Sequence, residues 1–237
     1  MLFMEMKKIN LKGIEVYPFD SPEQIIDFAL CHPSILVAIN AEKVLNATPQ
    51  LRHIINHNIG YCDGIGPVLA LHRMGFKNVA KVAGCELWLN IVRRCYSSKS
   101  FYLVGGTQEV IDATVAQLRK DYPDINIVGY RNGYLSSDRE KNALLADIVL
   151  KKPDIVFVAM GSPRQELLME EMQQHHKAIY QGLGGSFDVY IGRVKRAPDR
   201  WVRCHVEWLY RLLHQPSRIR RQLPLMKFAY WIAAKKF

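Results

Sequence analysis

No run of eighteen apolar residues occurs in this 237-residue chain, so a membrane-spanning helix is not expected. The opening, MLFMEMKKIN, lacks the apolar core and cleavage pattern of a secretory signal, so secretion is not expected either. Cysteine is sparse: Cys31, Cys62, Cys85, Cys95 and Cys204 are odd in number and show no CxxC spacing. That argues against a disulfide framework and a structural zinc, and for a reducing compartment, the cytoplasm by default. No P-loop Gly-Lys-Ser/Thr is present, and Gly182-Leu183-Gly184-Gly185 lacks the third glycine of a dinucleotide fingerprint. ATP and NAD are therefore poorly supported. Asp-x-Asp is also missing. Hard divalent cations need clustered oxygen ligands, so neither a metal nor another cofactor is expected.

Charge, in contrast, is plentiful and uneven. Residues 1–190 carry 20 basic and 20 acidic side chains, whereas 191–237 carry 12 basic and 2 acidic, which accounts for the whole net charge of +10. A neutral body with a cationic end implies a polyanionic partner, either nucleic acid or acidic lipid. Within that end, residues 198–214 place Trp201, Trp208, Leu209, Leu212 and Leu213 near one helix face. Beyond the Gln215-Pro216 break, Arg218, Arg220, Arg221 and Lys227 alternate with Leu, Met, Phe, Tyr and Trp, and Pro224 interrupts the pattern. Core packing and a solvated face explain parts of this; the combination fits a helix at a membrane interface.

The body reads as alternating strands and helices. Its organising stretch is Asp154 to Met169, DIVFVAMGSPRQELLM. The run from Ile155 to Met160 fits a strand buried on both faces. Gly161 stops it, with Ser162 expected to cap and Pro163 to open the helix that follows. Similar strands are expected at Ile35–Ile39, Ile59–Cys62, Phe101–Val104, Ile125–Val128 and Ala178–Gly182. Helices are expected over 41–58 with a break at Thr48-Pro49, and to Met74, from Gly84, to Tyr122 and over 137–151. Repeated strand–helix alternation implies a mostly parallel sheet with right-handed crossovers. The expected class is α/β, a Rossmann-like mostly parallel sheet flanked by helices. Residues 1–195 would form it, and 196–237 a basic helical appendage.

Open sheets of this kind bind ligands at the carboxyl ends of their strands, where helix amino ends favour anions. Arg164 and Gln165 fall there without apolar work to do. Gly105-Gly106 and Gly184-Gly185 fall at two more strand ends and either present N–H groups to a diphosphate or serve only as tight turns. Asp63, flanked by glycine, is a candidate general base; from the residues alone, a helix cap is the favoured reading. Cys62 is read as a buried small residue rather than a nucleophile.

Taken together, VAINAEKV from Val37, YCDGIG around Asp63, KVAGCELW from Lys81, FYLVGGTQEV, VFVAMGSPRQE, GLGGSFDVYIGRVKRAPDRW and EWLYRLLHQPSRIRRQ resemble the WecG/TagA/CpsF glycosyltransferases from about residue 10 to 230. The nearest branch is that of enterobacterial common antigen, whose members transfer N-acetyl-D-mannosaminuronic acid from UDP. The resemblance implies inverting, metal-independent transfer from a UDP-sugar donor to an undecaprenyl-diphosphate-linked N-acetylglucosamine. The enzyme would act peripherally on the inner face of the cytoplasmic membrane, an anionic surface. It implies Asp63 as base, Asn40 and Gln165 in the active site, and Asp188 at UDP. The tail arginines that meet the lipid diphosphate would lie among Arg211, Arg218, Arg220 and Arg221. Relatives also imply a homo-oligomer, and no nucleic-acid partner is expected.

This chain departs from its relatives at three places. Lys81 stands where they often carry Arg and cannot make the same bidentate contact. Glu86 replaces a frequent Asp, and Ala38 replaces the threonine of the teichoic-acid branch, which moves N-acetylmannosamine. The uronic acid reading is therefore preferred over the teichoic-acid type. The reading from a different class is a nucleic-acid-binding protein that uses the same tail.

Overall fold

The computed structural model describes residues 6–195, 198, 200–201, 210, 226–232 and 234. In chain order these form β1 (Ile9–Leu11), β2 (Ile14–Val16), α1 (Pro22–Cys31), β3 (Ile35–Ile39), α2 (Ala41–Asn46), α3 (Pro49–His57), β4 (Ile59–Cys62) and α4 (Ile65–Arg73). Then follow α5 (Gly84–Cys95), β5 (Ser100–Gly105), α6 (Gln108–Asp121), β6 (Asn126–Arg131), α7 (Asp138–Lys151), β7 (Ile155–Ala159), α8 (Arg164–His175), β8 (Ile179–Gly182) and α9 (Ser186–Tyr190). Residues 226–232 are helical as well. Among the described residues, no helix is long and apolar enough to cross a membrane.

β3 to β8 make one sheet in the order β4-β3-β8-β7-β5-β6. Each neighbouring pair is parallel, as the expected alternation demands. Side chains alternate across a strand, so a strand covered on both faces must be apolar at every position. β7 shows this directly: Val156 and Val158 point into one core, Ile155, Phe157 and Ala159 into the other. The first core receives Leu51, Ile54 and Ile55 of α3, Leu144 and Ile148 of α7, and Met169 and Met172 of α8. The second receives Ile25 of α1, Leu87, Trp88 and Ile91 of α5, and Ile111 and Leu118 of α6. Each fully buried side chain of this size contributes roughly 1.5–3 kcal/mol, so the central strands are the most firmly held.

Helix starts follow local chemistry. The side chains of Ser21, Asn40, Thr48, Thr107 and Ser137 each accept an N–H three residues on and so cap α1, α2, α3, α6 and α7. The expected break at Thr48-Pro49 is therefore where α3 begins.

Two expectations need correcting. Ser162 does not cap α8. That helix starts one residue later than expected, after Pro163 and a cis Ser162–Pro163 bond, without a side-chain cap. The Gln165 N–H that such a cap would accept goes instead to Gly161 O at 3.0 Å. The expected strands begin at Ile35, yet ahead of it β1 and β2 form an antiparallel hairpin, and α1 follows. Arg52 and Asn56 of α3 hold the hairpin, with Arg52 Nη1 donating to Lys12 O at 2.7 Å and Asn56 Nδ2 to Gly13 O at 3.0 Å. Three-residue strands are too short to show a period, but Ser21-Pro22 was a legible helix start.

The terminal helix docks on this scaffold. Phe228 is buried in the first core, and its ring atoms lie 3.2 Å from where a Cβ on Gly66 would stand, so a side chain there would press on the ring. Lys12 of the hairpin and Lys227 sit over the Trp231 ring at 5.1 and 5.3 Å.

Candidate active site

Because the six strands run the same way, their carboxyl ends line one edge. The sheet order sets out that edge as Asp63, Asn40, Gly184, Gly161, Gly105 and Asn132. With roughly 4.8 Å between strands, it spans about 24 Å. The candidates therefore share an edge without all sharing a pocket.

Asp63, Asn40 and Gln165 come together at one end. The ladder pairing Ile39 with Cys62 continues through Asp63 N–H to Ile39 O at 2.8 Å, which puts Asp63 beside Asn40. A Cβ on Gly64 would lie 3.7 Å from Asn40 Cβ. Asp63 is half-buried, and its Oδ1 accepts the Gly84 N–H at 3.2 Å. The cap reading was therefore half right. Asp63 serves the first turn of α5 rather than of α4, which begins at Ile65 after Gly64 without a side-chain cap.

Asn40 Oδ1 accepts the Lys43 N–H at 2.9 Å. Lys43 Nζ in turn donates to Ala38 O at 2.9 Å and to Glu166 Oε1 at 2.8 Å. Gln165 Nε2 donates to the same Glu166 oxygen at 3.3 Å, and Gln165 Oε1 accepts the N–H groups of Gly161 and Gly184 at 3.1 and 3.0 Å. Gly182 has no room for a side chain, since a Cβ there would lie 2.3 Å from Gln165 Nε2. One network thus joins the β3, β7 and β8 turns, and the Gln165 amide is spent on holding it.

Lys43 and Glu166 were not among the sequence candidates, nor were Tyr61 and Gln181. Gln181 Nε2 donates to Gly84 O at 3.2 Å and, at 3.5 Å, to the Tyr61 hydroxyl. Burial, and then the Asp63 carboxylate, push the Tyr61 hydroxyl well above its ordinary range, so it stays protonated. Among the described residues, Glu166 Oε2 and Gln181 Oε1 are buried acceptors with no hydrogen-bond partner. Leaving such an atom unpaired costs roughly 1–3 kcal/mol. Gln181 had a visible signal, a polar residue inside the short apolar strand IYQG. Lys43 had one too: a cation three residues after a cap, on a helix that buries Ala41 and Val44.

The remaining candidates frame this end. Lys81 is half-buried on the strip beside β4, between Ala80 N–H to Phe19 O and Val82 N–H to Cys62 O. Arg164 is exposed at the first residue of α8. Asp188 lies on α9, whose Phe187 and Tyr190 pack on Trp88 of α5 at 5.8 and 5.2 Å. Gly184 adopts φ +58° and Gly185 is exposed.

Gly105 and Gly106 sit about 19 Å along the edge from Asp63. The Gly106 N–H is used on Ala159 O at 3.2 Å, and Gly105 has φ +142° against the end of β7. The tight-turn reading accounts for that pair. Arg211, Arg218, Arg220 and Arg221 lie outside the described residues.

Chemically, this end offers a half-buried carboxylate, a cation on either side and helix amino ends without side-chain caps at α4 and α8, which favour negative charge. Cys62 is not a nucleophile: burial, reinforced by the Asp63 charge, pushes its thiol up to about 12. Among the described residues, no three His, Cys, Asp or Glu side chains group to hold a metal. Compared with known protein families, residues 9–237 match the model described as the glycosyl transferase WecG/TagA/CpsF family.

Proposed function

The chain belongs to the WecG/TagA/CpsF family of glycosyl transferases, and from that premise we propose that it moves an N-acetylmannosamine-type sugar from UDP to an undecaprenyl-diphosphate-linked N-acetylglucosamine. The family match supports glycosyl transfer in polysaccharide synthesis. The single observation that carries the mechanism is Asp63, half-buried at the end of β4 against Asn40, with one carboxylate oxygen aimed by the Gly84 N–H.

In this reading Asp63 takes the proton from the acceptor hydroxyl as its oxygen attacks the anomeric carbon. The bond from that carbon to the UDP oxygen breaks with inversion, and UDP leaves with the electron pair. The uncapped amino ends of α4 and α8 and the Arg164 guanidinium face the charge that grows on the diphosphate. The network through Lys43, Glu166 and Gln165 fixes the turns, so that no reorganisation is needed at the moment of reaction.

The favoured donor is N-acetylmannosaminuronic acid. Its extra carboxylate needs a cation, and Lys81 and Arg164 are the candidates for it. Ala38 in place of threonine separates the chain from the teichoic-acid type. The proposed role of the tail is to dock on acidic lipid of the inner membrane face and to bring its arginines to the acceptor diphosphate.

The test is a panel of UDP-sugars with a short-chain lipid-diphosphate acceptor, read by UDP release for the native chain and Asp63→Asn. General-base help is worth ~10²–10⁴-fold, so kcat should fall by that order with donor KM little changed. Near-normal turnover would remove Asp63 as the base.

A further inference from the structure

Phe228 meets the first turn of α4 at Gly66. Leu69 and Arg73 follow Gly66 by three and seven residues and share its face, and both are exposed, Leu69 by 45%. At the exit of α4, Met74 and Phe76 are 37% and 40% exposed, with Lys77 exposed beside them. The 22 residues between Asp63 and Glu86 contain no carboxylate but carry Arg73, Lys77 and Lys81. The terminal helix adds exposed Met226, Lys227 and Tyr230 on the side away from Phe228.

We propose that the outward face of α4 and its exit, from Leu69 to Lys77, is a docking surface for an anionic lipid bilayer, separate from the cationic tail. A stretch without carboxylates that mixes large exposed apolar side chains with cations matches both layers of such a bilayer. Leu69, Met74 and Phe76 enter the acyl boundary, and Arg73 and Lys77 meet the headgroup phosphates. A second copy using the same face would oppose like charges, so self-association is disfavoured there. The surface starts at the turn that carries Asp63, which suits an acceptor held in the bilayer; this part rests on the lipid-linked acceptor proposed above.

The experiment uses the full chain and co-sedimentation with two vesicle types, phosphatidylcholine alone and phosphatidylcholine mixed with phosphatidylglycerol. Arg73→Glu/Lys77→Glu should weaken partition to the anionic vesicles on the order of tenfold, and Phe76→Ser roughly fivefold. Transfer to a water-soluble acceptor should stay at the native level in both. Unchanged partition overturns the proposal, as does native partition accompanied by a change in oligomeric mass. A native chain that transfers no sugar yet loses vesicle binding in these variants refutes the glycosyl-transfer reading and leaves the surface standing.

Discussion

Replacing Lys43 by Met removes one half of an ion pair that is 10% exposed at Lys43 and 1% at Glu166. Among the described residues, Glu166 then keeps the Gln165 amide, at 3.3 Å on Oε1, while Oε2 has no partner. Breaking a buried pair from one side costs roughly 3–5 kcal/mol, because a charge is stranded, whereas replacing both members by apolar groups is often neutral. Lys43→Met should therefore lower Tm by about 6–20 °C, at 2–4 °C per kcal/mol for a domain of this size. Lys43→Met/Glu166→Met should return to within ~1 kcal/mol of the native chain. Urea unfolding followed by tryptophan fluorescence, alongside thermal melts, gives the coupling from the double-mutant cycle. Transfer activity should not recover with stability, since neither methionine holds Ala38 O or the Gln165 amide. A single variant within ~1 kcal/mol of native would refute the reasoning, as would a double variant as unstable as the sum of the singles.

Phe228→Ala should free the terminal helix from Gly66, speed tryptic cleavage at Lys227 and lower the melting temperature, since Phe228 is buried in the first core; native-like resistance to trypsin would show that another contact anchors the segment. Asp154 gives a pH signature. Burial alone would raise its carboxyl, but the Ser100 N–H and hydroxyl and the Lys99 ammonium outweigh burial and hold it below the ordinary range. A carboxyl lowered by folding stabilises above its unfolded pKa, ~3.9, and that contribution fades as pH falls through the folded value. Asp154→Asn should be less stable than native at pH 7, with the gap closing in acid; a constant gap would assign the loss to packing.

Strand existence was legible wherever both faces are buried, since β3, β5 and β7 are near-continuous apolar runs and need no period to be seen. The hairpin was not, because its three-residue strands draw their stability from Arg52 and Asn56 some forty residues away. The same limit divides the site. Asp63 and Gln165 stand at strand ends and carry local turn signals, so the chain order offered them, whereas Asn40 entered only through the family resemblance. Lys43 and Glu166 meet across 123 residues, and their pairing depends on β3 and β8 being neighbours, a fact of strand order rather than local pattern. Ser162 misled for the opposite reason: its local signal was good, but the Gln165 N–H that a cap there would have accepted is taken by Gly161 O.

The strand order has a consequence for synthesis. β3 and β4 are joined to β5 and β6 only through β8 and β7, the last two strands to leave the ribosome. At 5–20 residues per second, the 120 residues from the end of β4 to the end of β8 take roughly 6–24 s to emerge. During that interval the nascent chain carries two half-sheets, each with an inner rim of unsatisfied backbone groups, and the gap closes only when residue 182 arrives. Chaperone demand and nonsense-fragment aggregation should therefore be set by this central wedge rather than by the tail that follows it.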